Sequence, residues 1–229
     1  DEIYCGIKPP EGDGWNQEED VLDTWFSSWI WPLATLGWPD KETDLNKFYP
    51  TQDLVTGPDI IFFWVARMIM SGIYFKDNIP FSNVYFTSII RDESGRKMSK
   101  SLGNSPDALE LFDKYGVDAV RISILMMAPQ GLDIHFKEDR LEQGRNFMNK
   151  LWNCSRFLMM NLDKNLDFDL SELDIDTLDE TDKWILSKLN NIIVDVDQSL
   201  DAYKMNDAIK KIYNFVWGDY CDWYIEFSK

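Results

Sequence analysis

Two lysines three residues apart, Lys97 and Lys100, stand in the run Arg91-Asp-Glu-Ser-Gly-Arg-Lys-Met-Ser-Lys-Ser-Leu-Gly-Asn104, with Ser99 and Ser101 flanking the second. Glycine, serine and charge at this density mark an exposed loop. On such a loop two ammonium groups can converge on one polyphosphate and neutralise the charge that builds on a departing pyrophosphate. Lysine suits the task because its ammonium is a mobile point charge rather than a rigid fork. A solvated basic loop would look the same in isolation, so the surrounding chain has to decide.

A second group precedes it. Gly57-Pro-Asp59 leads into Ile60-Ile-Phe-Phe-Trp-Val-Ala-Arg67, and a proline and an acid in the first turn match a helix N-terminus. Ile60 and Trp64 then share a face. Asp23-Thr-Trp-Phe-Ser-Ser-Trp-Ile-Trp31 reads as a short helix capped by Asp23 or Thr24 and closed by Pro32, with Trp25 and Trp29 on one face. Tryptophans so spaced build either a plain core or the wall of an apolar pocket. The single histidine, His135, reads as a structural residue at a helix entry, with no serine, cysteine or second histidine motif beside it. Cys5, Cys154 and Cys221 are odd in number, far apart in sequence and without C-x-x-C spacing, which indicates a reduced setting with neither a disulfide framework nor a metal site. Cys5 alone leaves open a metal site whose other ligands would lie upstream of Asp1.

The elements that must position these groups follow from pattern. Val84-Tyr-Phe-Thr-Ser-Ile-Ile90 is short, β-branched and aromatic, which predicts a strand buried on both faces of a parallel sheet. The lysine loop then follows the C-terminal end of that strand, where ligands of doubly wound folds bind. Ser105-Pro-Asp-Ala-Leu109 opens one helix and Gly116-Val-Asp-Ala-Val120 another. Residues 141–160, 181–200 and 205–227 carry apolar side chains at three- and four-residue spacing, which predicts an antiparallel helical bundle. Within it, residues 163–182 are acidic throughout against Lys164 alone and read as a solvated linker.

With 229 residues, 45% hydrophobic and 14% aromatic, the chain is a packed protein of one large or two smaller domains rather than a disordered one. No internal repeat is visible. A net charge of −17 excludes a surface that grips nucleic acid all over, so any RNA contact is local. The longest apolar stretch, residues 60–70, is interrupted by Arg67 and falls short of the ~20 residues that span a bilayer, so no membrane segment is expected. The opening Asp1-Glu-Ile-Tyr4 has neither a basic nor an apolar leader pattern and reads as the interior of a longer chain.

Lys97-Met-Ser-Lys-Ser101 is identical to the KMSKS signature loop of the class I aminoacyl-tRNA synthetases, and Leu102-Gly-Asn104 continues it as the valine, isoleucine and leucine members do. Asp20-Val-Leu-Asp-Thr-Trp-Phe-Ser-Ser28, Thr56-Gly-Pro-Asp-Ile-Ile-Phe-Phe-Trp-Val-Ala-Arg67, Gly144-Arg-Asn-Phe-Met-Asn-Lys-Leu-Trp152 and Cys221-Asp-Trp-Tyr-Ile-Glu226 resemble that family in the same order, over essentially the whole chain. Ser27-Ser28 and Gly57-Pro-Asp59-Ile60 resemble the valine branch. Isoleucine members instead carry an acid and Gly-Ser after Trp-Phe and start the helix with Gly-x-Asp-Gln.

The resemblance implies an α/β fold followed by an all-α one. Residues 1–92 would be the second half of a Rossmann-type catalytic domain, 93–140 the KMSKS loop and stem-contact region, and 141–229 a partial helical anticodon-binding domain. It implies a cytoplasmic, monomeric parent enzyme that joins valine to tRNA(Val) using ATP with Mg2+, the magnesium held by the nucleotide and not by dedicated protein ligands. Lys97 and Lys100 would act on the leaving pyrophosphate, with Ser99 and Ser101 beside them. Gly57 and Asp59 would approach the ATP ribose, for whose hydroxyls a carboxylate is an acceptor. Trp25, Ile60 and Trp64 would wall the valine pocket. Such a pocket cannot strongly reject threonine, a limit for which valine enzymes are the standard example, so the parent should edit. The family's editing domain and His-x-Gly-His-type element lie upstream of the present start, so this chain alone is expected to be inactive and not to edit. Arg140, Arg145, Lys150 and Arg156 could touch tRNA or simply form a solvated face. The isoleucine or leucine branch, and a non-catalytic tRNA-binding or interaction module, are the alternatives.

Overall fold

The structure, a computed structural model, describes residues 3–162 and 173–229. The chain divides into two units, Asp1–Val84 and Tyr85–Lys229, each with its own core. The acidic linker expected over residues 163–182 lies outside the described residues as far as 172.

In the first unit α1 (Thr24–Thr35) is capped by Asp23, whose carboxylate accepts from the Trp25 N–H at 3.3 Å. Pro32 does not close this helix, as the sequence reading expected, but sits inside it. A proline removes the bond to the carbonyl four residues back, here that of Ser28, and that carbonyl instead accepts from Trp64 Nε1 at 3.5 Å. After α2 (Thr43–Phe48) and β1 (Thr51–Thr56), the apolar run begins with a 3-10 turn, Pro58–Ile60, and a wide π-helical turn, Ile61–Val65, before α3 (Ala66–Lys76). The regular α-helix expected from Ile60 is therefore delayed by more than a turn. The stretch Pro58–Lys76 is long and apolar enough by length and composition to cross a membrane. That corrects the expectation that no stretch is long enough; 22% of its apolar window is buried, Val65 and Met68 entering the core with Phe81, and Arg67 pairs with Asp23 at 3.3 Å. Strand β2 (Phe81–Phe86) pairs with β1.

The strand expected over residues 84–90 is split. Its first part belongs to β2, and after a break β3 (Ile90–Arg91) pairs in parallel with β4 (Ile134–His135), in register Ile90 with Ile134 and Arg91 with His135. The two parts answer to different partner strands, so neither is buried on both faces; Phe86 is 36% exposed. Among the described residues both sheets are two-stranded. His135 thus lies in a strand, not at a helix entry.

Between the parallel strands run the lysine loop, α4 (Ala108–Tyr115) and α5 (Val117–Met127). Gly116 joins the two helices at φ +90°, a conformation that side chains rarely adopt. Leu111, Tyr115, Ala119, Val120, Phe136 and Leu141 form this unit's core. α6 (Leu141–Asn161), α7 (Glu180–Asp201) and α8 (Met205–Asn214) match the three periodic stretches, with α5 packed on α6 and α8, and α7 on α8. Asp179 caps α7 through the N–H groups of Thr181 and Asp182 at 2.8 and 2.9 Å. The third stretch departs from expectation beyond Asn214, running as a π-helix over Phe215–Tyr224 into α9 (Ile225–Phe227). Wider turns let bulky rings stack along the helix, Phe215 on Tyr220 and Tyr220 on Tyr224.

Candidate functional site

A cavity of about 700 Å³ opens in the first unit, and Trp25, Ile60 and Trp64 all line it. Pro58 lacks an N–H and the turn behind it widens, which brings Trp64 over α1, where its indole N–H reaches the carbonyl that Pro32 leaves open. Turns of this kind recur at functional sites because they re-aim one side chain. Trp25 is fixed from the other side by stacking on Phe63, ring centres 5.7 Å apart. The lining is mostly apolar, with Thr24, Ser27, Ser28, Tyr49, Thr51 and Asp53 as polar points, the composition expected of a small-molecule pocket. Gly57 and Asp59 are not in that lining; they form the turn beside it, where a Cβ on Gly57 would stand 2.7 Å from Asp59 Oδ1. Ser28, Pro32, Tyr49 and Asp53 also line the cavity, and none was expected there from sequence. Ser28 had entered only through the Ser27-Ser28 resemblance and Pro32 only as a helix stop; Tyr49 and Asp53 carried no signal.

The lysine loop of the second unit is built around Asp92 and Asn104. An antiparallel bridge between Arg91 and Lys97 closes its base. Asp92 accepts from the N–H groups of Ser94 and Arg96 at 3.0 and 2.9 Å, from Arg96 Nε at 2.9 Å and from Asn104 Nδ2 at 2.9 Å. The Asn104 bond, with the Arg96 contacts behind it, holds the Asp92 carboxyl down to about 2. The same amide of Asn104 reaches the Lys97 carbonyl at 3.3 Å, while its oxygen accepts from the Ser99 N–H at 2.9 Å. Ser99 then caps a 3-10 turn, Lys100–Leu102, by accepting from the Leu102 N–H at 3.3 Å, and its hydroxyl lies 3.1 Å from that of Ser101. Met98 turns inward onto the core, leaving Lys97 and Lys100 exposed. Arg91 pairs with Asp133 at the loop's root and donates to the Gly95 carbonyl at 3.2 Å.

The four basic residues expected to face RNA differ among themselves. Lys150 pairs with Asp222 at 2.5 Å and lies over the Trp217 ring, and its pKa is raised, first by that hydrogen bond. Arg145 lies over the Tyr115 ring, 5.8 Å from its centre. Arg140 and Arg156 are exposed. The cysteines, distant in sequence, are not all distant in space: Cys154 and Cys221 share a hydrogen bond, and burial, ahead of that bond, pushes the Cys221 thiol up to about 12. No group of three or more potential metal ligands gathers among the described residues.

Residues 7–137 match the family of tRNA synthetases class I (I, L, M and V), and residues 182–229 match the anticodon-binding domain of tRNA ligase. The chain belongs to the class I tRNA synthetases. Within that class it shares about half of its residues with valine--tRNA ligases. It is 56% identical to that of Fusobacterium nucleatum over 93% of this chain, 51% to that of Chlorobaculum tepidum over 95%, and 50% to that of Clostridium acetobutylicum over all of it. It spans about a quarter of their length, 24%, 25% and 26% respectively. Among solved structures, a LeuRS–tRNA–LeuAMS ternary complex from Agrobacterium radiobacter superposes with a TM-score of 0.74 at 23% identity, over 89% of this chain and 27% of that one. Methionyl-tRNA synthetase of Mycobacterium tuberculosis with methionyl-adenylate gives 0.66 at 26% identity, over 85% of this chain and 38% of that one.

Proposed function

We propose that this chain supplies the amino-acid pocket wall and the phosphate loop of a cytoplasmic valine--tRNA ligase, followed by part of an antiparallel, anticodon-binding helical bundle. In the reaction a carboxylate oxygen of valine attacks the α-phosphorus of ATP, the bond to the pyrophosphate oxygen breaks, and the acyl group of the adenylate passes to the 3′ end of tRNA(Val) as AMP leaves. Trp25, Ile60 and Trp64 hold the isopropyl group by shape. Gly57 lets the ribose approach and Asp59 accepts from its hydroxyls. Lys97 and Lys100, with Ser99 and Ser101 ordering the turn that begins at Lys100, place positive charge where it develops on the departing pyrophosphate. Mg2+ travels with ATP, since phosphate oxygens and water satisfy most of its octahedron. Arg140, Arg145, Lys150 and Arg156 face the tRNA stem in this reading, and the parent works as a monomer.

The observation that carries the proposal is the convergence of Trp25, Ile60 and Trp64, separated by up to 39 positions in sequence, on one largely apolar cavity. The chain holds one histidine, so a His-x-Gly-His element has to come from elsewhere. The test is valine-dependent exchange of labelled pyrophosphate into ATP. The chain alone should give none. The chain assembled with the missing N-terminal half should give exchange that leucine does not support and that Lys97→Ala with Lys100→Ala abolishes. No exchange from a demonstrably assembled pair would leave a non-catalytic tRNA-binding module as the better reading.

A further inference from the structure

The second unit carries a polar cavity of about 380 Å³ where α5, α6 and α8 meet, lined by Arg140, Gln143, Lys210, Tyr213, Asn214 and, at the floor, Ser123 with Met126 and Met127. Its lining contains two cations and no carboxylate, in a chain whose net charge is −17. Neither cation has an ion-pair partner among the described residues, whereas Lys114, Lys150 and Lys188 of the same unit each pair with an acid. The Ser123 side chain is buried, the residue 3% exposed, and its hydroxyl has no hydrogen-bond partner among the described residues. That hydroxyl faces α6 rather than the open space, since a Cβ on Gly144 would stand 2.2 Å from it. Two cations without an acidic partner among the described residues, with two amides and a phenol in the same lining, suit an anion with several acceptor oxygens.

We infer that this cavity seats a phosphate group, presented either by an RNA backbone or by a free phosphorylated small molecule. Arg140 meets it as a fork and Lys210 as a point charge, with Gln143, Asn214 and Tyr213 as neutral donors. The RNA source rests on the synthetase reading above; the phosphate chemistry does not. It also distinguishes Arg140 from Lys150, whose ammonium is already occupied by Asp222.

The Met126 and Met127 methyl groups in the cavity wall report occupancy directly by NMR. Inorganic phosphate, at constant ionic strength set with chloride, should shift both. The double variant Arg140→Gln, Lys210→Gln should abolish the shift. Because both side chains are exposed and unpaired, the variant leaves no partner uncompensated and should keep its melting temperature. A charge-matched control, Lys183→Gln with Lys229→Gln, should behave as the parent. If RNA is the source, tRNA displaces the phosphate-induced shift, and the double variant lowers the slope of log binding constant against log salt by about 1 to 2. Methyl shifts with phosphate but none with tRNA would assign the free small molecule. The inference is overturned if phosphate leaves both methyls unmoved, or if the control pair weakens binding as much as the cavity pair. The synthetase reading is judged separately, by valine-dependent exchange in the assembled enzyme.

Discussion

Asp92 accepts four hydrogen bonds at the root of the lysine loop, and its acidity follows from them. A folded-state pKa depressed from 3.8 to about 2 stabilises the loop at every pH above its unfolded value and withdraws that support as pH falls from about 4 towards 2. The Asn104 side-chain amide resonances should therefore hold steady from pH 7 to 4 and move below it; a midpoint near 4 would contradict the clasp. Asn104→Ala removes the contacts to Asp92, Ser99 and Lys97 together, and should raise the Asp92 pKa and reduce exchange activity with valine KM little changed. Type and spacing raise Lys97 and Lys100 as phosphate candidates, but it is the resemblance of the chain around them that sets that reading above a solvated basic loop. Asn104 entered only as part of the Leu102-Gly-Asn104 resemblance, and its hold on Asp92 was not legible, since an amide 12 positions from its carboxylate partner follows no period and acquires meaning only when the bridge from Arg91 to Lys97 folds the loop back. In the assembled enzyme, Lys100→Ala should lower the rate of adenylate formation about 10²- to 10³-fold, the usual scale for one transition-state charge contact. The thiols offer a simpler check. Exposed Cys5 should be open to a disulfide reagent in the folded protein, and Cys221, held near 12, should stay silent until the protein unfolds.

Helix boundaries were legible where a cap or glycine marks them, as at Asp23 and Gly116, but the linker expected as far as residue 182 gives way earlier, at Asp179, which caps α7. They failed where a tertiary contact repaired a local fault. Pro32 reads as a stop only if nothing else can use the Ser28 carbonyl, and Trp64, 36 residues away, does. The π-helical turns at Ile61–Val65 and Phe215–Tyr224 are hidden for a related reason: the side-chain pattern that fits a wide turn also fits an α-helix locally. Close packing of α5 on α6 is similarly a property of the pair. A Cβ on Gly144 would fall 2.3 Å from the Ala119 carbonyl and 2.2 Å from Ser123 Oγ. Gly144→Ala should accordingly force the helices apart despite its better helix propensity, costing about 1 to 3 kcal/mol, read as a lower melting temperature. An unchanged or higher value would mean that the two helices tolerate separation.

At the scale of the whole chain, sequence disclosed an α/β part preceding an α part but not the placement of the unit boundary at Val84, within the run that pattern reads as one strand. Neighbouring strands decide where that run divides, and they are remote in sequence. Charge was fully legible, and it makes a last prediction. At neutral pH the −17 net charge repels itself over distances that salt shortens, from a screening length of about 30 Å at 0.01 M to about 10 Å at 0.1 M. Salt also weakens the ion pairs, but several of these are open to water, such as Lys183–Glu180 and Arg121–Asp118, and exposed pairs contribute little. Relief of repulsion should win, and the melting temperature should rise by a few degrees between 10 and 150 mM sodium chloride. If the chain binds tRNA as proposed, that binding should weaken over the same range, because counterion release acts with the opposite sign at a cationic contact. Parallel trends in the two measurements would mean that local pairing, not the net charge, sets the electrostatic balance of the fold.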